Sequence, residues 1–181
     1  RRQFAIDAPQ FSWPGEYRYP DVVYKDRLTF KRGRLTFELH HARGETDDHT
    51  WTFIPERKIL VPGDLFIWAV PNAGNPQKVQ RYLSDWADAL DQMAGLEPEM
   101  MLPGHGLPIV GTERIHEALT NTAAVLRSIE EQTLVLMNRG CSLDQVLHQV
   151  KLPVDLLDKP YLRPVYDDPN FLIRMVWRRY G

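Results

Sequence analysis

The sequence predicts an α/β fold, strand-rich over residues 1–111 and helical from 112 onward, and three observations predict it. Short β-branched and apolar runs alternate with turn-forming clusters as far as Val61. From Gln77 to Ala94, and again from Thr112 to Asn138, apolar residues recur at three- and four-residue steps. Between those helical stretches a brief apolar run, Met100 to Leu102, has the length of a buried strand.

Taken in order, Arg1 to Pro20 interleaves Phe11, Trp13, Tyr17 and Tyr19 with Pro9, Pro14 and Pro20, and reads as an irregular segment packed on something larger. Leu28–Phe30 and Leu35–Leu39 flank Lys31-Arg32-Gly33-Arg34, a β-hairpin with Gly33 at its turn. Thr50–Ile54 and Lys58–Val61 flank Pro55-Glu56-Arg57, a second pair of strands joined by a tight turn. The helix expected over Gln77–Ala94 places Val79, Leu83, Trp86, Leu90 and Met93 on one stripe, with Asn75 as its cap and Gly95 as its stop. The long helix ending near Asn138 carries Ile115, Leu119, Ala123, Leu126, Ile129 and Leu136. Ser142 opens a further helix to about Val150. Pro153, Pro160 and Pro164 then keep the chain irregular until Asp168-Pro169, where a cap followed by proline starts a last helix to Tyr180 with Phe171, Ile173, Val176 and Trp177 on it.

The composition is that of a globular chain, 43% hydrophobic and 25% charged with a net charge of −2, and implies no nucleic-acid partner. Its nearest approach to a basic cluster, Lys31, Arg32 and Arg34, sits at a hairpin turn, where such a run is solvated. The single cysteine, Cys141, excludes an internal disulfide framework. No apolar run approaches the length of a membrane span. The compartment is left open.

The chemistry gathers at strand ends. Gly44-Glu45-Thr46-Asp47-Asp48-His49 precedes the third strand, Gly63-Asp64 follows the fourth, and Pro103-Gly104-His105-Gly106 follows the fifth. Carboxylate, carboxylate and imidazole on neighbouring loops are ligand types that Zn²⁺ takes. Glycines around His105 let the backbone turn and present the imidazole. His49 is placed to orient a ligand or meet substrate. Asn72 and Asn75, in Pro71-Asn72-Ala73-Gly74-Asn75-Pro76, are candidate hydrogen-bond donors to a substrate, and are equally ordinary turn formers. His40 and His41, adjacent on a strand, point to opposite faces and do not serve one metal together.

In this order the motifs G-E-T-x-D-H, G-D-L-F and P-G-H-G resemble the second half of a metallo-β-lactamase-fold hydrolase, and most closely the alkyl sulfatase branch, in which a glutamate replaces the usual third histidine. The resemblance implies the second half of an αββα sandwich over residues 1–111. It makes Glu45 a ligand of a first metal, Asp64 the catalytic bridge between two metals and His105 a ligand of the second, with two Zn²⁺ in the complete protein. Residues 112–181, with Tyr161-Leu162-Arg163-Pro164, Tyr166 and the terminal Trp177-Arg178-Arg179-Tyr180-Gly181, resemble the helical dimerisation region of those proteins, which implies a homodimer.

Two departures accompany the resemblance. The H-x-H-x-D-H loop that supplies most ligands in the family is absent, and residues 1–37 are too few to hold the front half of the fold, so the chain reads as a C-terminal portion. The T-L-R-G motif associated with sulfate binding is also absent. The expected function is metal-dependent hydrolysis of a small-molecule sulfate or other ester; the alternative is a non-catalytic binding or dimerisation module with a degenerate metal site.

Overall fold

A computed structural model describes residues 16–74 and 78–181. Residues 1–15, most of the aromatic segment, and Asn75 with Gln77 lie outside the described residues. Six strands form one sheet in sequential order: β1 (Arg27–Arg32), β2 (Leu35–Ala42), β3 (His49–Ile54), β4 (Ile59–Ile67), β5 (Met100–His105) and β6 (Ile109–Val110). The first four are antiparallel neighbours, β5 runs parallel to β4, and β6 returns antiparallel to β5. The parallel step needs a crossover, and α1 (Leu83–Ala94) supplies it.

Both expected hairpins form. Phe30 stacks on its cross-strand partner Phe37 with centroids 5.2 Å apart. Pro55–Arg57 make a 3-10 turn closed by Lys58 in the left-handed region, with φ 46°. Strand pairing carries both edges of the metal-type loops further than the apolar runs alone indicated: β4 continues through Gly63 and Asp64, and β5 continues to His105.

One cross-strand row sets the inner face. Phe53 pairs with Leu60, Leu60 with Met101 and Met101 with Ile109, and all four are buried. The same core takes in Leu83, Trp86, Leu90 and Met93 of α1, and Ile115, Leu119, Leu126 and Ile129 of α2 (Thr112–Asn138). It also takes in Val146 of α3 (Leu143–Gln149), Leu157 of α4 (Val154–Leu157) and the apolar side of α5 (Asn170–Tyr180). At α3 the capping box forms in full, Ser142 Oγ accepting from Gln145 N and Gln145 Oε1 accepting from Ser142 N. Asp168 caps α5 by accepting from Asn170 N at 2.9 Å. The buried stripe of α5 is Leu172, Ile173, Met175 and Val176, so Ile173 and Val176 fall where the periodicity placed them, whereas Phe171 and Trp177 sit half-buried at its margins.

α1 starts later than its periodicity predicts. Lys78 to Tyr82 are non-helical and Val79 is exposed rather than on the stripe. Here the chain is tied to the Gly44–Asp48 loop instead: Tyr82 N donates to Gly44 O at 3.0 Å, and the Arg81 side chain pairs with Glu45. The short α4 arises within the proline-bounded tract expected to be irregular. No described helix is long and apolar enough to cross a membrane.

Candidate metal-type site at the β4 and β5 strand ends

Parallel pairing of β4 and β5 sets Gly63 opposite Pro103 and Ile67 opposite His105, which brings the two motif loops side by side. His105 Nε2 lies 3.5 Å from Asp64 Oδ1. Both are accessible, the imidazole three-quarters exposed. Gly104 makes this approach sterically open: a Cβ there would overlap Asp64 Oδ1 and sit 2.8 Å from the Gly63 carbonyl carbon. Gly106, at φ 100°, turns the chain under Trp68, whose Nε1 donates to Leu107 O at 2.7 Å and pins the loop after His105.

His49 packs over Gly63, and its Nε2 donates to Pro62 O at 3.1 Å, since a carbonyl can only accept. It therefore braces the backbone just before Asp64. His41 Nε2 donates in the same way to Asp47 O, closing the Gly44–Asp48 loop. His40 turns the other way, as adjacent strand residues must, and stacks on Trp51 at 4.0 Å; burial lowers its pKa, with Arg27 acting in the same direction.

Glu45 occupies a separate, drier position. Its Oε1 is 2.5 Å from Arg81 Nη2, and Arg81 is 3% exposed. Arg81 Nη1 also donates to Glu45 O, and its Nε donates to Asn72 O at 3.2 Å. Burial pushes the Arg81 pKa down, while Glu45, Asp167 and Asp64 hold it up, so three carboxylates act on one guanidinium. Gly44 is needed here because a Cβ would press on Leu65 and Trp86, and Trp86 Nε1 in turn donates to Leu65 O at 2.8 Å.

Asp64 and His105 open onto a cleft of about 370 Å³ walled by Ile67, Trp68, Ala69 and Asn72 and, from the C-terminal segment, by Val165 and Tyr166. That segment is held in place by Val70 N donating to Arg163 O at 3.1 Å and Gly74 N donating to Asp167 Oδ2 at 2.6 Å. Of the residues singled out in the sequence, Asp64, His105 and Asn72 thus share one cleft, His49 braces it, Glu45 is held by Arg81, and Asn75 lies outside the described residues. Arg81, Asp167 and Val165 carry no signal in the sequence, and Tyr166 stood out there only as a landmark of the helical region, not as a wall of the cleft. An arginine at the front of an amphipathic stretch looks like any solvated one, and the Asp167-Asp168 doublet reads as helix capping.

Asp64 and His105 fit a shared cation. Ligand atoms about 2.0–2.2 Å from Zn²⁺ at tetrahedral angles are about 3.4 Å from each other, and the observed separation is 3.5 Å. They make up about half a set, because Zn²⁺ takes three or four protein ligands. Among the described residues no three His, Cys, Asp or Glu side chains gather into a metal-holding group.

The family model of the metallo-β-lactamase superfamily matches residues 4–105. A linear primary-alkylsulfatase of Pseudomonas sp. (strain ATCC 19151) is 27% identical over 164 residues, covering 89% of this chain and 31% of the relative. An (R)-specific secondary-alkylsulfatase of a Pseudomonas species is 27% identical over 169 residues, covering 89% of this chain and 25% of the relative. The chain therefore spans under a third of the length of these relatives. A stereoselective inverting sec-alkylsulfatase from Pseudomonas sp., solved as a structure, superposes with a TM-score of 0.80 at 24% identity, covering 90% of this chain and 27% of that one. This chain belongs to the metallo-β-lactamase superfamily, with the alkylsulfatase-like form of its fold.

Proposed function

We propose that the chain carries part of the active site of a metal-dependent hydrolase acting on small-molecule esters with an apolar organic group, sulfate esters foremost. The observation that carries this reading is the 3.5 Å approach of Asp64 Oδ1 and His105 Nε2 at the end of a largely apolar cleft. Asp64 and His105 would hold the ion, with Glu45 as the further ligand that the alkylsulfatase likeness suggests. A divalent ion there supplies Lewis acidity and makes water acidic enough to attack near neutral pH.

The side chains of this chain do the rest. Ile67, Trp68, Ala69 and Val165 take up the organic group and exclude water from its flank. Asn72 lines the same cleft, and its amide would donate to the polar end of the ester. Asp64 orients an attacking water or accepts its proton, from a carboxylate that passes close to Gly104 because that residue has no Cβ. The region over 112–181 follows the hydrolase part, residues 1–111, as the part through which two copies would pair, with Val135 and Val154 among its exposed apolar residues.

Zn²⁺ titration by calorimetry, with hydrolysis of a medium-chain alkyl sulfate and the matching neutral ester, tests the site. With about half a ligand set we expect a weak ion, Kd roughly 10 µM to 1 mM, which Asp64→Asn and His105→Ala each abolish. Binding that survives both substitutions would refute the site. For assembly, sedimentation should give a dimer that Val135→Glu with Val154→Glu converts to monomer, and a wild-type monomer refutes that part.

A further inference from the structure

We propose that the tract Tyr161 to Asp167 is a built wall of the cleft, and that Val165 and Tyr166 in it set the bulk of the organic group the cleft admits. The proposal rests on the reading of the cleft as the seat of an ester's organic group and deepens it. In the sequence, Tyr161-Leu162-Arg163-Pro164 and Tyr166 mark only the helical region. In the fold the same tract returns to the C-terminal end of β4, and two of its side chains line the cleft.

Local chemistry gives the residues of the tract distinct tasks. Leu162 is fully buried in the core and anchors the tract there. Pro164 sits inside a three-residue turn, closed by Val165 N donating to Arg163 O at 2.8 Å. Its ring holds φ at about −65°, close to what such a turn needs. Arg163 O also accepts from Val70 N at 3.1 Å, and Asp167 Oδ2 accepts from Gly74 N at 2.6 Å. These two bonds flank Val165 and Tyr166 on one segment and Asn72 on the other, so the tract is tied to the loop after β4 on both sides of the wall. Tyr161 braces the neighbouring wall: its ring meets Trp68 edge-on at 6.5 Å, and its hydroxyl accepts from Asn121 Nδ2 at 2.9 Å.

The exposure of the two wall residues points to a ligand. Val165 is 73% and Tyr166 74% exposed, whereas Ile67 and Ala69 across the same cleft are 8% and 6% exposed. Single apolar side chains in water are ordinary on a surface. Here they stand on backbone bonded at both sides and face a concave, largely apolar space, so their ordering precedes binding and is not lost to it. A tyrosine adds broad contact area with only two torsions to fix. The cleft, about 370 Å³, is at the small end of the roughly 300–1,000 Å³ usual for small-molecule sites, so one ring at its rim decides much of what enters.

The test is NMR on the 181-residue chain, with no metal added, titrated with octyl sulfate and with the bulkier cyclododecyl sulfate below micelle formation, reading the Ala69 methyl in the cleft. Wild type should give a saturable shift with octyl sulfate. Tyr166→Ala and Val165→Ala should each move the ratio of the two Kd values about 10-fold toward the bulkier ligand, and Tyr166→Trp should move it the other way. Equal weakening of both ligands, with the ratio unmoved in both alanine variants, is what a merely structural role gives, and it overturns the proposal. A changed sedimentation coefficient with an unmoved ratio would put these side chains in a contact between copies and overturns it too. If wild type binds neither sulfate, the reading of the cleft fails and takes the proposal with it; binding with an unmoved ratio sinks the proposal alone.

Discussion

Replacing Gly104 by alanine separates the steric arrangement of the site from everything else the loop does. Gly104 is not among the positive-φ residues, so alanine meets no backbone strain there, and the whole effect is collision. The added Cβ would overlap Asp64 Oδ1 and lie 2.8 Å from Gly63 C and 2.9 Å from Gly63 O. The carboxylate can rotate away, but the Gly63 backbone is held in β4 beside β5, so the strands must part by a few tenths of an ångström. Overpacking of this kind costs about 1–3 kcal/mol. At roughly 2–4 °C per kcal/mol for a chain of this size, the melting temperature should fall by about 2–12 °C. The same movement pulls Asp64 off its 3.5 Å approach to His105, so Zn²⁺ binding should weaken in parallel. Calorimetric melting and the Zn²⁺ titration together check this. A variant that melts like wild type and binds Zn²⁺ equally well would show that the close passage of the two loops is not what aligns the ligands.

Three further outcomes follow from the packing. Burial raises the pKa of Glu130 above its ordinary value, with the Tyr180 hydroxyl donating to its Oε1 at 3.3 Å. A raised folded pKa means stability present below the ordinary 4.5 and lost as pH rises through the folded value. Glu130→Gln should therefore melt higher than wild type at neutral pH, with the difference shrinking toward acid; a constant difference across that range would contradict the assignment. Ser142→Ala removes half of the capping box on α3 and should cost about 1 kcal/mol in urea unfolding, and a change below the error of the fit would mean that packing alone sets the start of α3. Leu60→Ala empties the middle of the Phe53–Leu60–Met101 row and should cost about 2–5 kcal/mol; a loss under 1 kcal/mol would show that the row collapses freely.

What was legible in the sequence was local. Alternation and turn chemistry marked both hairpins, periodicity marked α2 almost to its ends, and Ser142 with Gln145 marked the start of α3, because each of these signals lies within a few neighbouring residues. The order of the Glu45, Asp64 and His105 motifs was enough for the family, since short motifs at strand ends survive in the text of the chain. Tertiary structure decided which of them meet. Asp64 and His105 come together through the parallel β4–β5 register, a pairing between segments separated by a whole helix. The commitment of Glu45 to Arg81, the late start of α1 and the wall supplied by Val165 and Tyr166 depend on where three distant segments cross. A buried guanidinium and a solvated one have the same letter in the sequence, and only burial, by removing the water that would otherwise pair with Arg81, makes its partners obligatory.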